Sequence, residues 1–186
     1  MLRGYNRILH PLRRSGVRRA IRGPGIPETV VFVCHGNICR SPYAEGALRR
    51  ELSPALRRRI RVESVGFVQP GRASPGEAIR VAAERGVDLV EHRSRVLDGD
   101  ILEAADMMFV MEGEQRSAIM RKAPRGRVLL LGDLDPSPVD RRRIRDPVMQ
   151  PVNVFRRVYS RIDRCVQELA ELFESGVDSG ETRVDG

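Results

Sequence analysis

The stretch that most strongly predicts the fold of this chain is residues 31–42, which read Val31-Phe32-Val33-Cys34-His35-Gly36-Asn37-Ile38-Cys39-Arg40-Ser41-Pro42. Its first three residues are apolar and bulky, as in a buried strand. Gly36 and Asn37 tolerate the unusual backbone angles of a tight turn. Ser41 followed by Pro42 is typical of an N-cap and the first turn of a helix. The stretch therefore predicts a strand that leads through a short loop into a helix.

The loop that follows the strand has the properties of an anion site. Successive backbone N–H groups at a helix N-terminus can form a nest, and the helix dipole adds positive charge there. A dianionic phosphate fits this place, and the same field favours the nucleophilic thiolate form of Cys34. Arg40, with five residues between it and Cys34, can hold two phosphate oxygens with its planar guanidinium. The alternative, that a cysteine only fills the core, stays open for Cys39.

The rest of the chain alternates short apolar runs with longer amphipathic segments. The short runs predict buried strands at 29–34, 61–64, 107–111 and 128–131. The longer segments predict helices at 42–52, 75–85, 101–105, 114–121 and 153–173. This order predicts an α/β fold, in which a parallel sheet is covered by helices on both faces through right-handed crossovers. A ligand site is expected where a strand's carboxyl end meets the N-terminus of a helix.

Length and composition limit the kind of protein. The chain has 186 residues, of which 41% are hydrophobic and 31% charged, so we expect one globular, soluble domain. Its longest apolar runs are far shorter than a membrane-spanning helix requires. Three cysteines cannot all pair, and a secretory signal is not recognisable. We therefore expect a reducing, cytoplasmic compartment.

The positive charge is concentrated at one end. The net charge is +8, yet residues 1–27 contain seven arginines and no acidic residue, so the remaining 26 basic and 25 acidic residues nearly cancel. We expect a basic N-terminal arm at 1–27, a domain at 28–174 and a flexible acidic tail at 175–186. The arm could pack on its own domain, contact an anionic lipid or an acidic partner, or serve for targeting. Nucleic acid is not an expected partner, because aromatic residues make up only 4% and the domain is nearly neutral.

A phosphate ester also needs an acid that protonates the leaving oxygen. Two Asp-Pro pairs, Asp135-Pro136 and Asp146-Pro147, lie in the loop-like stretch 132–152. Their position alone does not choose between them.

The motifs resemble the low-molecular-weight protein tyrosine phosphatases, whose loop reads V-C-x-G-N-I-C-R-S-P and matches residues 33–42. Further similarities run in order through 64–66, 86–95, 105–111 and 145–159, so the resemblance spans about 30–172. It implies a four-stranded parallel sheet and a cysteine-dependent phosphatase that acts through a phosphocysteine intermediate. It implies no metal and no cofactor. The substrate would be a phosphotyrosine protein or a small phosphate ester, and small bacterial members suggest a role in exopolysaccharide regulation.

The resemblance also assigns roles to residues. Cys34 and Arg40 would be catalytic, and the remaining phosphate-binding loop would consist of His35, Gly36, Asn37, Ile38, Cys39 and Ser41. Asp146 would be the acid, because the aromatic Phe155 follows it nine residues later, as in the family. Since Cys39 lies in the same tight loop, we expect it to form a reversible disulfide with an oxidised Cys34.

Some positions depart from the family. Val148, Met149 and Gln150 follow the acid where an aromatic residue is common, so phosphotyrosine specificity stays open. Phe67 and His35 could supply other walls of the substrate slot. We expect His92 to be a scaffold histidine, with Glu45 as a possible partner.

Three other functions are possible for a loop of this kind. An arsenate reductase of this fold needs resolving cysteines, and none lies between Cys39 and Cys165, a residue expected in the core. A protein arginine phosphatase has threonine in place of Ile38. A non-catalytic phosphate-binding module would keep the loop but lose the nucleophile or the acid.

Overall fold

The structure, a computed structural model, describes residues 2–23, 25–123 and 126–181. Its centre is a four-stranded sheet in the order β2-β1-β3-β4, in which every neighbouring pair is parallel. The strands are β1 (Thr29–Val33), β2 (Arg61–Val65), β3 (Met107–Val110) and β4 (Val128–Leu130). Val30 of β1 lies opposite Val62 of β2 and Met107 of β3. The predicted four-stranded parallel sheet is thereby confirmed.

Helices cover both faces of the sheet. They are α1 (Leu2–Arg22), α2 (Arg40–Glu51), α3 (Pro54–Arg59), α4 (Gly76–Ala83), α5 (Gly99–Ala104), α6 (Gly113–Lys122) and α7 (Val152–Glu181), with a 3₁₀ turn at Leu131–Leu134. The sequence analysis missed α3 because six residues are too few to show a helical period. This helix has a local start signal, since the Ser53 hydroxyl accepts a hydrogen bond from the N–H of Leu56 and Pro54 occupies the first turn.

Alternate residues of β1 pack into two separate cores. Val30 and Phe32 join the larger core with residues of α2, α4 and α7, whereas Val31 and Val33 face the smaller core with residues of α5 and α6. Successive side chains of a strand point to opposite faces, so a strand that is buried throughout needs an apolar layer on each side. This arrangement explains why β1 reads as an uninterrupted apolar run.

The N-terminal arm is one helix that packs on the domain. Pro11 lies inside α1 and is exposed. Ile21 is buried in the larger core, and the ring Nε2 of His10 is 2.7 Å from the carbonyl oxygen of Asp135. These tertiary contacts hold α1 together despite the main-chain hydrogen bond that proline cannot donate.

The last helix extends beyond its predicted end at residue 173. α7 continues to Glu181, into the stretch where the sequence predicts a flexible tail, and residues 182–186 lie outside the described residues. Within the described ranges, no helix has the length and apolarity that spanning a bilayer requires.

The strand order places a crevice between β1 and β3. The chain leaves β1 into α2, which packs on the side of the larger core, and it leaves β3 into α6, which packs on the side of the smaller core. Where neighbouring parallel strands send their connections to opposite faces, a cleft opens at their carboxyl ends. Cys34 follows β1 and Met111-Glu112 follow β3, so this cleft is the predicted site.

Candidate active site

Cys34 lies at the bottom of the cleft, with 2% of its surface exposed. Its backbone N–H donates to the carbonyl oxygen of Val65 on the neighbouring strand at 3.2 Å. Its Sγ lies 3.1 Å from the hydroxyl of Ser41, whose single proton can go there or to Val65 O at 3.2 Å. A negative sulfur attracts this proton more strongly than a neutral carbonyl does. The Ser41 hydroxyl is therefore placed to donate to a negatively charged Cys34 sulfur.

This role of Ser41 corrects the sequence prediction. Ser41 was expected to be the N-cap of the helix, but α2 begins at Arg40, and the N-cap position is held by Cys39 without a side-chain cap. The Ser41 hydroxyl points into the loop because Asn37 and Cys34 are both within hydrogen-bond distance of it. Its partner is thus the reactive sulfur instead of a free backbone N–H group.

Asn37 holds the loop in its shape. Its φ of 50° is in the left-handed region that asparagine tolerates. Its side-chain amide donates to the hydroxyls of Ser41 and Ser64, each at 2.9 Å, and its side-chain oxygen accepts from the N–H of Arg95 at 2.8 Å. Because Asn37 occupies an acceptor site of Ser41, the Ser41 proton stays available for Cys34.

His92 supports the same loop from outside. Its Nε2 lies 2.7 Å from the carbonyl oxygen of Asn37. The suggested partner Glu45 instead forms an ion pair with Arg49 at 2.9 Å. The scaffold interpretation of His92 fits the structure, but its partner was misassigned, because the loop backbone comes closer than the helix side chain.

Arg40 is the most buried charge of the site, with 1% of its surface exposed. Its Nη1 donates to Glu112 at 2.6 Å and to the carbonyl oxygen of Ile144 at 3.0 Å, and its Nη2 donates to Asp146. Burial disfavours the charged form, but the negative charges of Cys34, Asp146 and Glu112 outweigh burial and raise the pKa of Arg40. The guanidinium therefore stays cationic.

The third nitrogen of the Arg40 guanidinium, Nε, differs from Nη1 and Nη2. Within the described part of the chain, its buried Nε has no hydrogen-bond partner. A buried N–H without a partner is costly, and a phosphate oxygen in the cleft would supply the missing acceptor. This orphaned donor matches the predicted role of Arg40 as a phosphate ligand.

The structure separates the two candidate acids. Asp146 borders the cleft, and 40% of its side chain is exposed. Asp135 is fully buried, and its carboxylate is held by Arg161 at 3.1 Å and by Arg164 at 2.9 Å. A carboxylate that is fully buried between two guanidinium groups has no access to a substrate in the cleft. Geometry therefore favours Asp146 as the acid.

A pocket of about 290 Å³ opens above the loop. It is lined by residues that follow β1, β2 and β3, by residues of α6 and by Asp146: His35, Phe67, Glu112, Glu114, Gln115, Ala118 and Asp146. Phe67 and His35 thus occupy the walls that the sequence suggested for them. Of the residues after the acid, Val148 packs against the larger core, and Met149 is 95% exposed with a φ of 57°.

The sequence analysis missed Glu112, although a signal was present. This residue follows the end of β3, and the carboxyl ends of adjacent parallel strands meet at one edge. A polar residue there is expected to face the same cleft as Cys34. Glu112 accepts a hydrogen bond from Nη1 of Arg40, whereas Asp146 accepts one from Nη2.

Cys39 is a buried thiol. Burial, followed by the charges of Cys34 and Asp146, raises its pKa far above its ordinary range. Its carbonyl oxygen accepts a hydrogen bond from the hydroxyl of Tyr159 at 3.2 Å, and Tyr159 stacks on Tyr43 with 3.7 Å between ring centroids. Cys39 is therefore neutral when Cys34 is a thiolate.

Metal binding can be assessed from the groups of possible ligand side chains. The described residues contain no group of three or more His, Cys, Asp or Glu side chains that could hold a metal ion.

Cys165, expected in the core, is buried on α7 within the larger core.

Comparison with known proteins gives a consistent result. The sequence model of a family described as low molecular weight phosphotyrosine protein phosphatase matches residues 29–178. The low molecular weight protein-tyrosine-phosphatase Wzb of Escherichia coli is 33% identical over 147 residues, which cover 77% of this chain and 94% of Wzb.

Solved structures have the same fold. The tyrosine phosphatase AmsI of Erwinia amylovora superposes with a TM-score of 0.69 at 27% identity, over 80% of this chain and 95% of that one. The arginine phosphatase YwlE of Geobacillus stearothermophilus superposes with a TM-score of 0.71 at 26% identity, over 86% of this chain and all of that one. The matched region 29–178 excludes α1.

Proposed function

Because the chain belongs to the low-molecular-weight phosphotyrosine protein phosphatase family and is a cysteine-dependent phosphatase, we propose that it hydrolyses phosphotyrosine in proteins with Cys34, Arg40 and Asp146 as its catalytic residues. The observation that carries this proposal is the convergence of these three side chains on one cleft: Arg40 contacts Asp146, and Ser41, the next residue, contacts Cys34.

The first half of the reaction transfers the phosphoryl group to sulfur. The Cys34 thiolate attacks phosphorus, so the S–P bond forms while the bond between phosphorus and the tyrosine oxygen breaks. The guanidinium of Arg40 and the loop N–H groups hold the phosphoryl oxygens, where negative charge is spread in the transition state. Protonated Asp146 gives its proton to the leaving phenolic oxygen.

The second half returns the enzyme to its starting state. Asp146, now a carboxylate, takes a proton from a water molecule, and the resulting hydroxide attacks the phosphocysteine. The S–P bond breaks, inorganic phosphate leaves, and Cys34 is again a thiolate. The Ser41 hydroxyl stabilises this leaving thiolate as it stabilises the attacking one.

The depth of the cleft supports an aryl phosphate. Cys34 is almost fully buried, and the phosphate of a tyrosine stands farther from its backbone than that of a serine. Phe67 and His35 flank the entrance, where they can contact a flat ring. Ile38, at the position where an arginine phosphatase has threonine, is apolar and buried, which favours phosphotyrosine over phosphoarginine.

The test uses peptides of one sequence that carry phosphotyrosine, phosphoserine or phosphoarginine. We expect release of phosphate from the phosphotyrosyl peptide, with kcat/KM at least about tenfold above the other two. The Cys34→Ser variant is the control for contaminating phosphatase. A preference for phosphoarginine would instead show that this chain acts as an arginine phosphatase, as YwlE does.

For the N-terminal helix we propose contact with an anionic lipid surface. Tyr5, Ile8 and Leu12 are exposed and lie on one face of α1, since they are three and four residues apart. They are three of the five large apolar side chains that are exposed in the described part of the chain. Such a stripe beside arginines is typical of helices that lie in a membrane interface.

Charge selects lipid over a second copy of the chain. α1 contains no acidic residue, so two such helices would repel each other, whereas acidic headgroups would attract them. Arg14 and Arg18 are already paired with Glu168, but Arg19 and Arg22 are exposed.

A cytoplasmic location and a role in exopolysaccharide regulation stay predictions.

A further inference from the structure

A second cavity adjoins the catalytic pocket. It has a volume of about 660 Å³ and shares Glu112 and Glu114 with the catalytic pocket. Four of its nine lining residues are arginines, which come from α6 and from the loop before Asp146: Arg116, Arg121, Arg142 and Arg143. We call it the arginine cavity. Because the two cavities share Glu112 and Glu114, they are neighbours.

Most of the positive charge in the arginine cavity is not neutralised. Arg142 is held by both oxygens of Asp133, at 3.0 and 2.6 Å. Among the described residues, however, no carboxylate lies within 4.0 Å of a guanidinium nitrogen of the other three arginines. Glu112 is used by Arg40, so three unpaired guanidinium groups face one carboxylate, that of Glu114.

This concentration of charge is local. Outside the N-terminal arm, basic and acidic residues nearly cancel, so an average cavity would carry little net charge. The excess continues past Arg143, which also borders a smaller cavity of about 200 Å³ with Arg141, Arg145 and Arg157. The surface beside Asp146 therefore carries more positive charge than the rest of the domain.

The loop that carries Arg143 is held in place by hydrogen bonds from a side chain of α7. Arg161 donates to the carbonyl oxygens of Arg141 at 2.9 Å and of Arg143 at 2.8 Å, and it is itself paired with the buried Asp135. On the other wall, the Nε of Arg116 donates to the carbonyl oxygen of Val128 at 2.9 Å. A fixed backbone lowers the entropy that binding must overcome.

We propose that the arginine cavity binds acidic side chains next to the phosphorylated residue, so that the enzyme selects phosphotyrosine within an acidic segment. This inference rests on the proposed function. Guanidinium groups bind carboxylates through two parallel hydrogen bonds. Arg143 precedes Asp146 by three residues, which limits their Cα separation to about 11 Å. An acidic residue within about three positions of the phosphotyrosine can therefore reach it.

The experiment compares phosphotyrosyl peptides that differ only in the flanking residues, which are glutamate, glutamine or lysine. At low salt, we expect kcat/KM of the wild type to be at least about fivefold higher for the glutamate peptide than for the glutamine peptide, through KM. High salt should weaken this preference, because exposed charges are screened. The lysine peptide should be the poorest substrate.

Paired variants locate the effect. Arg121→Gln with Arg143→Gln should abolish the preference for the glutamate peptide, and should lower its kcat/KM more than that of p-nitrophenyl phosphate. The control is Arg58→Gln with Arg59→Gln, which removes the same charge from α3, at the end of the sheet where β2 begins. Both control arginines are exposed, and this variant should keep the preference.

Three outcomes would overturn the inference. Equal kcat/KM for the glutamate and glutamine peptides would show that the cavity does not recognise the charge of the residues beside the phosphotyrosine. Because both peptides would still be hydrolysed, the proposed function would stand. Loss of the preference in the control pair would assign it to net charge. Hydrolysis of p-nitrophenyl phosphate without hydrolysis of any phosphotyrosyl peptide would remove the proposed function and this inference with it.

Discussion

The guanidinium of Arg40 donates a hydrogen bond to the carboxylate of Asp146, although the two residues are 106 positions apart. The proposed phosphate ligand and the proposed acid are therefore adjacent before a substrate arrives. Glu112 holds the guanidinium from another side, while the Nε of Arg40 is left without a partner among the described residues. A phosphate that enters the cleft would therefore meet the unused Nε of Arg40 on a guanidinium that Glu112 and Asp146 already hold in place.

Replacing the nucleophile should abolish the chemistry. Because the covalent step needs a thiolate, Cys34→Ser should lower kcat for p-nitrophenyl phosphate by more than about a thousandfold. A chelator should leave the wild-type rate unchanged, since no step of the proposed mechanism uses a metal. Steady-state assays of both proteins measure this, and residual turnover by Cys34→Ser at a comparable rate would refute the mechanism.

The two Asp-Pro pairs should respond in opposite ways. Asp146→Asn removes the acid, so kcat should fall about a hundredfold for phenyl phosphate and less for p-nitrophenyl phosphate, whose leaving group needs less help. Asp135→Asn leaves Arg161 and Arg164 without their buried partner, so the free energy of unfolding should fall by about 3 kcal/mol. Rate assays and denaturant titration measure the two effects. A leaving-group dependence in Asp135→Asn instead would reassign the acid.

Loss of the hydroxyl beside Cys34 should slow the reaction of this residue. Ser41→Ala removes the donor that lies 3.1 Å from Cys34 Sγ, so the sulfur loses a hydrogen bond that favours its negative charge and iodoacetate should alkylate Cys34 several-fold more slowly. Ser117→Ala, an exposed serine on α6, is the matched control. If the alkylation rates of the wild type and Ser41→Ala coincide, the hydroxyl proton belongs to Val65.

Oxidation should become reversible through Cys39. Hydrogen peroxide converts the Cys34 thiolate to a sulfenic acid, and attack by the Cys39 sulfur then forms the disulfide and releases water. Burial is the main reason why the pKa of Cys39 is raised, so Cys39 is protonated at neutral pH. The crosslink should form faster as pH rises, because more thiolate is then present.

The readout is the activity regained after peroxide and then a thiol reductant. The wild type should recover more than Cys39→Ser, and peptide masses should show a bond between Cys34 and Cys39. Equal recovery without a crosslink would return Cys39 to a packing role, which its burial also allows.

The exposed stripe of α1 should bind acidic vesicles. Full-length protein should co-sediment with vesicles that contain phosphatidylglycerol and less with pure phosphatidylcholine, and high salt should weaken binding. Ile8→Ser with Leu12→Ser should reduce partitioning by at least about tenfold. Val90→Ser, which removes another exposed apolar side chain, should not. Dimerisation that depends on Ile8 and Leu12, without lipid binding, would assign the stripe to a second copy.

The sequence by itself determined the fold class, and it indicated Cys34 as the nucleophile that we propose. The predicted strands correspond to β1, β2, β3 and β4. β1, β3 and β4 are mainly apolar, as expected of strands that are covered on both faces, whereas β2 lies at the edge of the sheet and carries an exposed Arg61 and a half-buried Glu63. The loop around Cys34 was also readable. Its nucleophile, its turn residues and Arg40 lie within a few residues, and local geometry brings such neighbours together.

Only the tertiary structure decided the partners that come from distant parts of the chain. Asp135 and Asp146 have the same local signal, and the difference between a buried ion pair and a residue of the cleft arises from Arg161 and Arg164 on α7. The position of Ser41 likewise depended on Asn37 and Cys34 more than on its preference for an N-cap. Side-chain hydrogen bonds follow distances in space, and a sequence specifies those only after the sheet and its helices have packed.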